Sequence, residues 1–171
     1  MQHIPRRKSR SRIIVASVSV VVLAGLVAGG LFAWRTYTSN QTTVIGDTDL
    51  KFRVLLPGGK GIDSVNGQAL IPPTGAPYFV YLDRINNVDV QVTEQQLPAS
   101  FKNDVNGQVA QVAKSYNATD SVKASGTTAY IGTNINGPQS VILTKQSLLV
   151  LIKSQATISD KAWVNYLSSL H

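Results

Sequence analysis

Residues 78–93 read YFVYLDRINNVDVQVT, and the fold turns on how this stretch is read. Val88, Val90 and Val92 alternate with Asp89, Gln91 and Thr93. Successive side chains of a strand point to opposite faces, so the valines share one side and the polar residues the other. Such a strand belongs in an antiparallel sheet with one dry side and one wet side. Asn86-Asn87 supplies a two-residue turn, because asparagine tolerates the positive φ that a tight hairpin requires. Tyr78 to Ile85 then reads as the partner strand of a hairpin.

Beyond the hairpin the period changes. Phe101, Val105, Val109, Val112 and Tyr116 are spaced four, four, three and four apart, one apolar stripe on a helix over Pro98 to Tyr116. Pro98 suits its first turn, and Gly107 weakens its middle by up to about 1 kcal/mol. Three strands follow, from Val122 or Thr127 to Ile135, Gln139 to Thr144 and Leu148 to Lys153. Asn136-Gly137 and Lys145-Gln146-Ser147 turn the chain between them. Leu148 to Ile152 is apolar at every position, as a central strand covered on both faces would be. Ser159 caps a last helix, Asp160 favours its positive end, and Trp163, Leu167 and Leu170 face the core. Toward the N-terminus, Lys51 to Leu56 reads as the first strand, closed by Pro57-Gly58-Gly59. Gly61 to Pro77 reads as a loop with a short strand. The expected domain, residues 44–171, is α+β: a mainly antiparallel sheet with two helices packed on one face.

Ahead of this domain the chain changes character. Ile13 to Trp34 is 22 residues without a charge, IIVASVSVVVLAGLVAGGLFAW. As a helix it would be about 33 Å long, enough to cross a hydrocarbon core of about 30 Å. Arg6, Arg7, Lys8, Arg10 and Arg12 precede it, and Arg35 alone follows closely. By the positive-inside rule the tail, residues 1–12, stays in the cytoplasm and the domain lies outside the cell membrane on a single pass. Residues 35–43 are a polar tether. A cleaved signal peptide would have a shorter apolar core and a small-x-small site after it, and Leu31-Phe32-Ala33 does not provide one. Ala24, Gly25, Ala28 and Gly29 form a small-xxx-small stripe, a candidate contact between two such helices in a homodimer.

Most of the net charge of +7 lies ahead of the domain, in the five cations of the tail and Arg35. From position 44 onward ten Lys and Arg face nine Asp and Glu, a balance of +1. A phosphate-binding surface needs a basic patch, so a nucleic-acid partner is not expected. The chain has no cysteine and two histidines, His3 in the tail and the final His171. Disulfides, thiol chemistry, histidine triads and histidine metal centres are therefore not expected. No GxSxG, Ser-x-x-Lys or P-loop motif occurs. Asp47 and Asp49 are too few ligands for calcium. Asp83 and Asp89, flanking the hairpin, are the one carboxylate pair suited to a hydrolase, and solvated strand ends explain them more simply. No catalytic, cofactor-binding or metal-ligating residue is assigned, and an enzyme is not expected.

Aromatic residues remain. Tyr78 and Val80 share one face of their strand, and Phe79 and Tyr81 share the other. With Tyr130 they are the candidate lining of a ligand groove on the open side of the sheet, against core packing as the simpler account.

The C-terminal part carries a resemblance. Gly126-Thr127-Thr128-Ala129-Tyr130, two strands, a polar break, then Ser159-Asp160-Lys161-Ala162-Trp163 through Leu167-Ser168-Ser169-Leu170 is similar to the extracytoplasmic domains that follow the single helix of some anti-sigma factors. Those domains are related in shape to lipoprotein-carrier folds. The likeness covers about 45 residues and implies a fold, with no functional residue carried over. Twelve cytoplasmic residues are too few for a sigma-binding domain. The expectation is a membrane-anchored extracytoplasmic binding module without enzymatic activity, whose partners are the lipid bilayer and a protein or apolar ligand of the cell envelope. The alternative is a structural or accessory subunit of an envelope complex, assembled through its membrane helix.

Overall fold

Two four-stranded antiparallel meanders meet edge to edge in this protein. The computed structural model describes residues 42–73 and 75–171. The first meander is β1 (Thr43–Ile45), β2 (Asn66–Ile71), β3 (Tyr78–Ile85) and β4 (Val88–Gln96). The second is β5 (Ala118–Ala124), β6 (Thr127–Thr133), β7 (Gln139–Lys145) and β8 (Leu148–Ser154). They form one sheet in the order β1-β2-β3-β4-β8-β7-β6-β5. Helix α1 (Val105–Ser115) carries the chain from β4 to the far edge, and α2 (Asp160–Ser169) follows β8. The α+β class and the mainly antiparallel sheet agree with the sequence reading.

The three tight hairpins share one turn chemistry. Asn86-Asn87, Ser125-Gly126 and Gln146-Ser147 all place both turn residues at positive φ. That turn has the twist that right-handed strands need, and asparagine and glycine reach it most cheaply.

The seam between the meanders pairs Val92 with Ile152 and Glu94 with Val150. This puts β8 in the middle of the sheet, and its side chains from Leu148 to Ile152 are all buried. Val88, Val90 and Val92 do share a face. The opposite side of β4 is drier than alternation suggested, because Thr93 and Gln95 are also buried.

One expectation is corrected by the packing. The two helices lie against opposite faces. Trp163, Tyr166 and Leu167 of α2 pack with Val92, Val150, Ile152 and Val141. Val109, Val112 and Ala113 of α1 pack with Ile142, Leu149 and Leu151. Neighbouring residues of β8 thus belong to different clusters, as a two-fold side-chain period requires. The sequence showed an apolar stripe on each helix but not which side of the sheet received it.

Other differences are local. Lys51 to Leu56 forms no strand but an extended strap across the α2 face, ending in a bridge between Pro57 and Leu170. Thr43, expected to end a polar tether, instead starts the edge strand β1. The expected helix from Pro98 is split into a 3₁₀ turn, Ala99–Phe101, and α1. Asp104 causes the restart, because its carboxylate accepts the N–H of Gly107 at 2.9 Å and caps α1. A Cβ on Gly107 would come 2.0 Å from that carboxylate, so the glycine makes room for the cap. Ser159 does occupy the cap position of α2, but its side chain makes no capping bond.

Among the described residues no helix is long and apolar enough to cross a membrane. The basic tail, the Ile13–Trp34 stretch with Ala24, Gly25, Ala28 and Gly29, and residues 35–41 of the tether lie outside the described residues.

Candidate functional site

The aromatic residues singled out from the sequence do not line one groove. Phe79 and Tyr81 point to the α2 face, with ring centroids 6.0 Å apart, and both are core residues. Tyr78 and Val80 point to the α1 face, where they cluster with Leu70. Tyr130 lies on that same face but packs beneath α1. Four strand spacings separate β6 from β3, about 19 Å.

What the α1 face does offer is an apolar row at its tether-proximal end. Val44 pairs with Leu70, and Leu70 with Tyr78. Leu82 lies two residues beyond Val80 on the same side of β3. Val44 and Leu82 are 62% and 38% exposed, so this row has solvent-facing apolar ends. Helix α1 packs over the other meander, against β5, β6 and β7. Between the two regions β4 presents Gln91, Thr93 and Gln95, opposite Lys153, Leu151 and Leu149 of β8. Burial lowers the ammonium of Lys153 to a pKa of about 8.

The α2 face holds a buried polar cluster that the sequence reading did not find. Glu94 continues the valine parity of β4 and is 0% exposed in the core. One of its oxygens accepts the backbone N–H of Leu55 from the strap at 2.8 Å. The other has no hydrogen-bond partner. Tyr81 donates its hydroxyl to the Leu55 carbonyl at 2.9 Å, so both backbone groups of Leu55 are held by sheet side chains. Burial pushes the Glu94 carboxyl up to about 8, with the Leu55 N–H pulling it partly back. Burial also raises the Tyr81 phenol well above its usual range, with Tyr166 and the Glu94 carboxylate adding to it. Nearby, Tyr166 donates to Asp83 at 3.1 Å, and Asp83 pairs with Lys60 at 3.1 Å.

The carboxylate pair weighed from the sequence is thereby taken apart. Asp83 engages Lys60 and Tyr166 on the α2 face, while Asp89, opposite Arg84, pairs with it at 2.7 Å on the other face. The guanidinium of Arg84 rises through its hydrogen bond to Asp89. Among the described residues no group of three or more His, Asp or Glu could hold a metal ion. The final residue, His171, is fixed by its backbone. It exchanges two hydrogen bonds with Leu56, at 3.2 and 3.3 Å, while its side chain stays exposed.

A parity signal was available for Glu94. A glutamate two residues beyond Val92 falls on the dry side of the strand. Nothing local marked Leu55 or Tyr166 as its neighbours, because those contacts span 39 residues and the whole sheet. Comparison with known protein families, with curated proteins and with solved structures finds no match.

Proposed function

We propose that this protein is a membrane-tethered, extracytoplasmic binding module without enzymatic activity. Its binding surface is the β1 end of the α1 face, where Val44 and Leu82 are exposed beside the buried Leu70, Tyr78 and Val80. The observation that carries the reading is the position of this apolar row. It sits on the first strands after the tether, and its ends Val44 and Leu82 are exposed. The uncharged Ile13–Trp34 stretch behind a basic tail supports anchoring with the tail inside. The near-neutral domain and its apolar row favour a protein or apolar ligand over a polyanion. The resemblance of the C-terminal part to extracytoplasmic domains with a lipoprotein-carrier shape points the same way.

Two measurements test it in the full-length protein in its own membranes. Protease added to intact cells is expected to digest the C-terminal domain, and alkaline washing to leave the chain in the membrane pellet. A photo-crosslinking residue at Leu82 or Val44 is expected to give a discrete adduct that the same residue at Lys123, on the opposite edge strand, does not. A protected domain, a washed-out chain or equal labelling at all three positions overturns the proposal.

A further inference from the structure

The strap over the α2 face is held by a contact that is unusual inside a core. We infer that residues 50–57 form a proton-latched strap: neutral Glu94 holds them against the sheet, and loss of its proton lifts them and bares the apolar surface beneath. The inference is independent of the binding surface proposed above.

The geometry carries it. Glu94 is fully buried between Phe79 and Val150, its neighbours on the flanking strands. Among the described residues its carboxyl accepts one hydrogen bond, from the Leu55 N–H, and its second oxygen has no donor. A neutral carboxyl tolerates that position. A carboxylate does not, because a charge in an apolar interior needs several donors or water. On either side stand paired strands, so water reaches Glu94 most readily by displacement of the strap. The strap is built to move as a unit. It lies in the 20-residue connection between β1 and β2, with Gly58 and Gly59 at positive φ at its end. Its polar ties are Gln96 to the Lys51 carbonyl, Tyr81 to Leu55 and the bridge to the last residues of the chain, and the buried side chains of Val54, Leu55 and Leu56 make the apolar contact that opening exposes.

The groups around Glu94 do not offset its charge. From β3 it faces Tyr81 and, farther on, Asp83. From α2 it faces Tyr166. The C-terminal segment contributes the exposed His171, and the strap itself carries exposed Lys51 and Arg53. The neighbours from the sheet and α2 are neutral or acidic, and Lys60 is spent on Asp83. Burial holds the closed-state carboxyl near pH 8, whereas a solvated glutamate ionises near 4.5. Opening therefore becomes easier as pH rises from about 4.5 to about 8, by up to tenfold per unit, and levels off beyond. The strap is shut in acid and loosened in alkali.

Hydrogen exchange on the full-length protein tests this, with protection factors corrected for intrinsic rates. The Leu55 and Leu56 amides are expected to lose about 100-fold in protection between pH 5 and pH 7. The β7 and β8 amides, which open only with the whole domain, should stay more protected than those of Leu55 and Leu56 at every pH. Glu94→Gln is expected to flatten the profile at Leu55. The inference is overturned if wild-type protection at Leu55 is independent of pH, if it equals that of β7 and β8 at every pH, or if the Gln variant keeps the slope. Should that variant fail to accumulate, the wild-type profile decides alone, since a pH slope at a protection below that of β7 and β8 supports the latch, and a flat or coincident profile excludes it.

Discussion

Single residues carry the sharpest consequences. Glu94 is an acid whose folded-state pKa is raised, so folding takes up its proton. Its contribution is most favourable below pH 4.5 and is lost as pH rises toward 8, at about 1.4 kcal/mol per unit at most. Opening the strap caps that loss. Glu94→Gln should match wild type at pH 5 and exceed it by about 2–3 kcal/mol at pH 8, read from urea midpoints of a fragment starting at residue 42. A wild-type protein that is more stable at pH 8 than at pH 5 would contradict the assignment. Gly132 is a second test. A Cβ there would lie 2.2 Å from the Tyr116 carbonyl, a backbone atom that cannot swing aside. Gly132→Ala should therefore cost several kcal/mol and part the start of β5 from β6, visible as lost amide protection at Ala118. The sequence reading took this glycine as part of an ordinary strand, because the clash is made by a residue that meets it only across the sheet.

At the scale of elements, one side-chain amide ties down the start of α2. The Gln139 carbonyl oxygen accepts both the Ile158 N–H at 2.8 Å and the Trp163 indole N–H at 2.9 Å. Gln139→Ala strands two buried donors and should cost about 2–5 kcal/mol, with quenching or a shift of Trp163 fluorescence as the local reporter. The hairpins offer the opposite direction. Gln146 and Ser147 sit at φ 49° and 64°, where side chains other than asparagine and glycine are strained. Replacing them with Asn-Gly should stabilise the protein by about 1 kcal/mol, measured as a raised thermal midpoint. The elements themselves were largely legible: the β3–β4 hairpin, the stripe of α1 and the unbroken apolar run of β8 all emerge from periodicity. The strap was misread as a strand because Lys51 to Leu56 has the composition of one. What it lacks is a partner, and pairing is not written in the composition of a single segment.

For the whole molecule, the layered arrangement explains why faces were harder to infer than elements. A sheet buried on both sides needs apolar residues at both parities, and β8 shows that pattern over its longest run. Toward the edges, β1 and β5 carry polar residues on exposed positions, and neither announces which helix lies above it. The candidate site suffered in the same way. Tyr78 and Val80 were correctly placed on one face and Phe79 and Tyr81 on the other, yet Tyr130 could be set at a distance only once the strand order was known. If the module is anchored as proposed, removal of residues 1–41 should yield a domain that washes free of membranes. It should keep the far-ultraviolet dichroism of an antiparallel sheet.

The seam between β4 and β8 also dictates an order of assembly. A chain made only as far as residue 116 has four strands and a finished α1, but the strands on which that helix rests do not yet exist. Until β8 arrives, β4 shows a full row of unsatisfied amides beside its valines, a template for any other extended peptide. Synthesis is therefore expected to pass through an adhesive half-molecule until β8 covers that edge. Split between α1 and β5, the two pieces should each precipitate when made alone and stay in solution when made together.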